Sequence, residues 1–195
     1  MLLPPAYRPK PRLTDLGPDF ADPVRGASFP KTVLRFRNQR AAATVGLDSL
    51  SDEAWIRHFG RFEPLPGNLL EPLAQRYHGH QFRVYNPDLG DGRGFTFAQM
   101  LEVGTDRLLD LGTKGSGPTP WSRQGDGRLT LKGGVREVLA TAMLEALGVP
   151  TSKSISLIET GEDLARGDEP SPTRSAVLFQ IGLPLKGAET NMAMA

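Results

Sequence analysis

Between Phe95 and Leu147 the chain carries two different hydrophobic periods in a fixed order, and that order restricts its fold more than any other stretch. Phe95, Phe97, Gln99, Leu101 and Val103 alternate with Thr96, Ala98 and Met100, the two-residue repeat of a strand. Gly104-Thr-Asp106 is a turn. Arg107–Lys114 returns as the second strand of a hairpin, which places Lys114 near the end of the return strand. From Gly134 to Leu147 the period becomes helical: Val135, Val138, Leu139, Ala142, Met143 and Ala146 form one apolar stripe. Gly148 follows as a residue suited to end the helix, and Pro150 blocks its continuation. Ser154–Ile158 and Ser175–Phe179 read as two further strands joined by a polar loop, Gly161–Arg174. Hairpin, helix, then two strands predicts an α+β fold: an antiparallel sheet packed by one principal helix.

Upstream signals are weaker. Thr32–Arg37 reads as a fifth strand, which gives a five-stranded sheet. Ser51-Asp-Glu-Ala-Trp-Ile-Arg-His-Phe reads as a short helix with Ser51 as its N-cap and acids in the first turn. Gly67–Arg76 reads as a turn and a short helix around Leu69, Leu70, Leu73 and Ala74. Residues 1–30 are punctuated by prolines and read as an extended arm lying across the sheet. The sheet and helix occupy residues 31–179.

Charge and cysteine usage exclude several functional classes. A formal net charge of +1 gives no electrostatic argument for nucleic acid or for a membrane surface. With no cysteine there is neither a thiol nucleophile nor a thiolate metal site. No apolar run approaches the length of a membrane span, and the N-terminus lacks a basic flank and an apolar signal core, so a cytoplasmic protein is expected.

The chemistry-bearing residues lie around the hairpin. Gly-Asp-Gly-Arg occurs twice, at Gly90–Arg93 and at Gly125–Arg128, with Lys114 between the copies. Glycine-rich turns present backbone N–H groups to an anion, arginine adds a planar fork that fits phosphate, and lysine adds a point charge. One copy alone reads as an Asp-Gly hairpin turn; two copies with a lysine between them favour a polyphosphate site. Lys114 on a strand, followed by a helix carrying Glu137, fits a lysine fixed by a carboxylate partner, with a plain surface pair as the alternative. The text has no Gly-x-x-x-x-Gly-Lys-[Ser/Thr], so it is not a P-loop, and Gly90–Gly94 only partly echoes Gly-x-Gly-x-x-Gly. His78 and His80 flank Gly79 without a third ligand nearby, so a loop role is preferred over metal binding. Trp121 reads as a half-buried packing residue ahead of a base-stacking one.

Tyr77-x-Gly-His-Gln-Phe82, Leu89-Gly-Asp-Gly-Arg93, Lys114-Gly-Ser-Gly-Pro-Thr-Pro-Trp-Ser-Arg123, Gly125-Asp-Gly-Arg128 and Gly148-Val-Pro-Thr151 occur in order. With Arg136-Glu137 and Ser175-Ala-Val-Leu178, this series resembles the selenoprotein O family (SelO, also called YdiU) over about residues 30 to 178. The resemblance implies a protein-kinase-like N-lobe and adenylyltransfer, the movement of AMP from ATP to a Ser, Thr or Tyr hydroxyl of a protein, with Mg2+. It implies that Gly90, Gly92 and Arg93 cradle ATP phosphates and that Lys114 is the phosphate-binding lysine. By the same resemblance Glu137 is that lysine's partner, and Asp126 and Gly127 also contact the nucleotide. The expected partners are ATP and protein substrates, with no nucleic acid and no membrane.

Three departures qualify the resemblance. Arg83 stands where the family has glycine, and Gln180 stands where it has arginine. A second expected arginine has no counterpart in Gly182-Leu-Pro-Leu-Lys-Gly187. Residues 180–195 are therefore expected to be a divergent, poorly ordered tail. The family's catalytic base and metal ligands belong to a C-lobe that this text does not contain, so no catalytic or metal-ligating residue is assigned here. The expectation is a truncated adenylyltransferase that is inactive alone, or alternatively a non-catalytic nucleotide-binding or regulatory fragment.

Overall fold

A computed structural model describes residues 4–184 apart from Phe82. Its centre is one nine-stranded sheet, antiparallel at every pairing, in the order β1-β3-β5-β6-β9-β8-β2, with β4 beside β3 and β7 beside β9. The strands are β1 (Ala21–Pro23), β2 (Val33–Arg37), β3 (Leu73–Gln81), β4 (Val84–Gly90), β5 (Thr96–Leu101), β6 (Leu108–Lys114), β7 (Leu129–Thr130), β8 (Lys153–Leu164) and β9 (Thr173–Gly182). The helices are α1 (Gln39–Ala43), α2 (Asp52–Arg61) and α3 (Leu131–Ala146), preceded by a 3-10 turn at Leu13–Leu16. Among the described residues, no helix is long and apolar enough to cross a membrane.

All five expected strands form, and four more join them. The stretch expected to be a short helix before Arg76 is instead the start of β3: Leu73 pairs with Thr96, and Pro23 and Ala21 pair with Leu73 and Gln75. Burial of Leu73 and Ala74 between sheet neighbours overrides the local helical spacing. The polar loop expected over Gly161–Arg174 shrinks, because β8 runs on to Leu164 and β9 begins at Thr173. Gln180 and Ile181, expected in a poorly ordered tail, instead belong to β9: they pair with Gly112 and Leu111, and Ile181 is buried. Residues 185–195 lie outside the described residues.

β9 separates two apolar layers. Val177, Phe179 and Ile181 face a large core with Trp55, Phe59, Phe62 and Phe97, while Ala176 and Leu178 face a smaller one with Leu129 and Leu157. Successive strand residues point to opposite faces, so one strand feeds both layers. The large core is built on α2. Ser51 caps it by accepting from Ala54 N, and Ala54, Trp55, His58 and Phe59 recur at helical spacing on its buried side. Trp55 Nε1 donates to Ser156 Oγ at 2.9 Å, and Phe59 meets Phe179 edge-on at 5.0 Å.

The expected principal helix therefore needs correcting. α3 does cross the sheet, but its buried residues are Gly134 and Thr141, with Leu131 and Val138 packed beside them. Val135, Leu139, Ala142, Met143 and Ala146, all of the apolar stripe but Val138, are exposed. A Cβ at Gly134 would lie 2.5 Å from Leu157 Cδ1, so a small residue sets how closely the helix approaches β8.

Residues before Pro30 bind the sheet edge through their backbone. Leu101 N donates to Arg8 O, Lys10 N to Gln99 O, and Gln99 Oε1 accepts from Arg12 N and Leu13 N at 2.7 Å each. These bonds satisfy amides of an otherwise irregular segment.

Substitution of Phe59 by Ala should remove about 3–5 kcal/mol of stability, because it empties the centre of the α2 core. Substitution of Leu139 by Ala should change stability by no more than about 0.5 kcal/mol. Urea denaturation of both variants checks the pair; equal losses would place the main core under α3 instead.

Candidate functional site

The first Gly-Asp-Gly-Arg is the connection from β4 into β5, and its backbone is tied down on one side. Four successive carbonyl oxygens accept: Gly90 O from Tyr77 Oη at 3.0 Å, Asp91 O from Thr119 Oγ1, Gly92 O from Ser122 Oγ, and Arg93 O from Gly115 N at 2.7 Å. Asp91 N donates to Gln75 O, and Gln75 N donates to Asp91 Oδ2, both at 3.0 Å. The N–H groups of Gly92, Arg93 and Gly94 have no acceptor among the described residues. Three consecutive amides thus stay free on a loop whose four carbonyls are all engaged.

Trp121 sets the seat of this loop. Its ring covers Gly90, where a Cβ would lie 2.3 Å from Trp121 Cγ, and its Nε1 donates to Asp22 Oδ2 at 2.9 Å. The tryptophan is half-buried, and its packed ring joins the glycine loop to β1.

Lys114 ends β6 opposite Leu178 of β9. Its Nζ donates to Glu137 Oε1 at 2.6 Å, with the lysine side chain 22% and the carboxylate side chain 18% exposed. Glu137 is placed by the first turns of α3, whose N-cap Thr130 accepts from Gly133 N. Glu137 Oε2 is buried and has no donor among the described residues.

The second Gly-Asp-Gly-Arg differs in every contact. Arg128 makes a bidentate pair with Glu162, with bonds of 2.9 and 3.1 Å from Nε and 2.9 Å from Nη2, and stacks over Phe29. Asp126 accepts from Arg128 N at 2.9 Å and pairs with Arg166 at 2.8 Å. Burial works to raise the Asp126 carboxyl, but the bonds from the Arg128 amide and Arg166 outweigh it and hold the carboxyl below its ordinary range. Gly127 sits at φ +65 against the backbone of Gly117, where a Cβ would be 2.1 Å from a carbonyl carbon. Arg93, by contrast, has no ion pair among the described residues. The repeated tetrapeptide thus provides one open turn and one locked turn.

Gly90, Gly92, Arg93, Lys114, Asp126 and Gly127 all line one cleft of about 1000 Å3. Glu137 lines a neighbouring cavity of about 400 Å3, which shares Arg93, Arg128 and Arg166 with the cleft. Gln180 lines the cleft as well and donates to Ser154 Oγ at 3.3 Å. The position of the second expected arginine lies outside the described residues. Arg83 is in the left-handed region at φ 65, a conformation that costs a non-glycine residue about 1 kcal/mol and explains why glycine suits the position. His78 Nδ1 lies 2.9 Å from Tyr85 Oη, and the His80 ring meets Tyr85 edge-on at 5.5 Å. Among the described residues, no group of three or more His, Asp or Glu could hold a metal ion.

Two features of the site carry no sequence motif. Arg166, which fixes Asp126, comes from the segment between β8 and β9 that reads as plain polar loop. Gln75 and Asp110 lie beneath the open turn, and only strand register brings them there. Burial raises Asp91 to about 7, against the bond from Gln75 N, and the charge of Asp110 pushes the same way. Burial also raises Asp110, opposed by bonds from Gln99 and Gln75.

An antiparallel sheet is crossed by a helix, and a strand lysine paired with a helix carboxylate shares one cleft with an open glycine turn. The chain is 57% identical over 177 residues to the protein nucleotidyltransferase YdiU of Synechococcus elongatus, covering 88% of this chain and 34% of that protein. It is 56% identical over 176 residues to the same-named protein of Gloeobacter violaceus (88% and 35%) and 41% identical over 148 residues to that of Aeromonas salmonicida (76% and 30%). The family model described as protein adenylyltransferase SelO matches residues 6–183, and the chain belongs to that family. It spans about a third of the length of these relatives.

Lys114→Ala should lower stability by about 2 kcal/mol, because it leaves the Glu137 carboxylate without its cation. Adding Glu137→Gln should recover most of that loss. Denaturant midpoints of the single and double variants measure this; additive losses would mean that the two residues are not coupled.

Proposed function

We propose that this chain forms the phosphate-holding part of a protein adenylyltransferase site, in an arrangement like the N-lobe of a protein kinase. One observation carries the reading: the Gly90–Arg93 carbonyls are all engaged inward, and the amides of Gly92, Arg93 and Gly94 stay free in the cleft that Lys114 enters. Amides fixed in advance bind an anion without the cost of reordering the loop. In this reading Gly90, Gly92 and Arg93 cradle ATP phosphates, Lys114 holds a phosphate oxygen, and Glu137 keeps Lys114 in place. Asp126 and Gly127 border the nucleotide through the locked turn. The parent reaction is transfer of AMP to a protein hydroxyl.

The nucleotide fits the donors present. Magnesium does not find a site of its own among the described residues, since no cluster of three or more acids or histidines forms one. Phosphates held at a solvent-open cleft interact in high dielectric, where each contact contributes little. The chain alone is therefore expected to bind Mg·ATP weakly and to transfer nothing.

Amide NMR titration of the 195-residue chain tests this. The expected result is a Kd on the order of 1 mM, with shifts concentrated at Gly92–Gly94 and loss of binding in Lys114→Ala. Arg93→Ala should weaken binding by about threefold, whereas Arg128→Ala should mainly lower stability. Absence of shifts at Gly92–Gly94 would refute the reading. Transfer of labelled AMP that disappears in Lys114→Ala would show a complete site in this chain.

A further inference from the structure

Asp91 lies between the two glycines of the open turn, yet its side chain does not point outward like that of an ordinary Asp-Gly turn. Its Oδ2 accepts from Gln75 N on β3, and its own N–H donates to Gln75 O, so one residue closes a two-bond clasp between loop and strand. Beneath it sits Asp110 of β6, held by Gln99 Nε2. Both carboxyls line the cleft that contains Lys114 and the free amides. Two carboxyls thus sit below a place suited to a polyanion, with Gln75 and Thr96 as neutral neighbours joined by a 2.8 Å bond.

Resting on the phosphate reading above, we infer that Asp91 is a positioning residue of the anion cradle, one that clasps the glycine loop to β3 and takes up a solvent proton when an anion occupies the cleft. The clasp survives protonation: the bond from Gln75 N needs only an acceptor oxygen, which a carboxylic acid retains. The charge does not survive unchanged, because an anion near Asp91 disfavours its ionised form. The charged and titratable groups around the cleft are Asp110 and Lys114 on β6, Arg93 on the same loop, Tyr77 and His80 on β3, Asp88 on β4, Arg83 before it, Arg123 beside Trp121, and Asp126, Arg128 and Arg166 at the locked turn. Burial, with a smaller push from the charge of Asp110, already moves Asp91 toward the neutral acid, to about 7. The sign follows by linkage. An anion binds better to the protonated site, so affinity is high below neutral pH and falls as pH rises through the Asp91 midpoint.

The test uses the 195-residue chain and Mg·ATP. Binding is measured by amide NMR at pH 6 and pH 8 for the natural chain and for Asp91→Asn, which keeps the acceptor and loses the charge. Ionisation of the nucleotide itself is common to both proteins and cancels. The natural chain should lose about tenfold in affinity from pH 6 to pH 8, and Asp91→Asn should lose less than about twofold. In parallel, the carboxyl carbon of Asp91 in the natural chain is titrated with and without Mg·ATP; its midpoint should move upward on binding. This second measurement needs no variant and stands if Asp91→Asn fails to fold. A purely structural clasp would leave the midpoint unmoved and give both proteins the same pH slope. That result overturns the inference while leaving a Lys114-dependent phosphate site intact. Absence of any Mg·ATP shift in the natural chain at either pH refutes the phosphate reading, and the role of Asp91 with it.

Discussion

The register of β9 against β6 is the constraint on which the rest of the structure depends. It sets Lys114 opposite Leu178, and Leu178 faces the layer that seats α3. The same strand turns Phe179 to the other side, into the aromatic core under α2. A shift of one residue would send Phe179 toward α3 and Leu178 into the aromatic cluster, exchanging a large ring for a small space. The Lys114–Glu137 pair is thus a consequence of packing on both faces of the sheet. Its lysine is positioned by strand pairing and its carboxylate by the close seat of Gly134 on Leu157.

Against that frame the two Gly-Asp-Gly-Arg turns take different work. The first has its carbonyls bound by Tyr77, Thr119, Ser122 and Gly115, so its amides are what remain. The second spends its arginine on Glu162 and its aspartate on Arg166. It closes the Gly115–Gly117 bend onto the sheet, and so fixes the stretch that carries Thr119 and Trp121. Both copies line the cleft, one locked by its own ion pairs and the other with its amides free.

Much of this was legible in the sequence where a short-range period was strong. The Phe95–Lys114 hairpin, the existence of α3 and the Ser51 cap follow from alternation, helical spacing and a capping residue. The placement of Lys114 beside Glu137 was also within reach, since a strand lysine followed by the next helix along the chain with a carboxylate near its start suggests the pair. What failed was anything decided by partners distant in sequence. Leu73 and Ala74 carry helical spacing but lie in β3, because β1 and β5 pair with that segment from 50 and 23 residues away. The α3 stripe reads as a core stripe, yet the helix is seated by Gly134 and Thr141, residues with no apolar signal. Arg166 and Asp110 had no motif because their role comes from register and loop return alone.

The chain's two tryptophans occupy opposite environments. Trp55 is fully enclosed between α2 and β8, whereas Trp121 rests on Gly90 and holds Asp22 at the edge of the cleft. Their emission should therefore divide into a constant, blue-shifted background from Trp55 and a responsive component from Trp121. Any displacement of the glycine turn must also disturb the bond to β1, so the light emitted by one indole reports on the cleft and the sheet edge together. The protein carries an intrinsic optical probe at the point where its loop and its outermost strand meet.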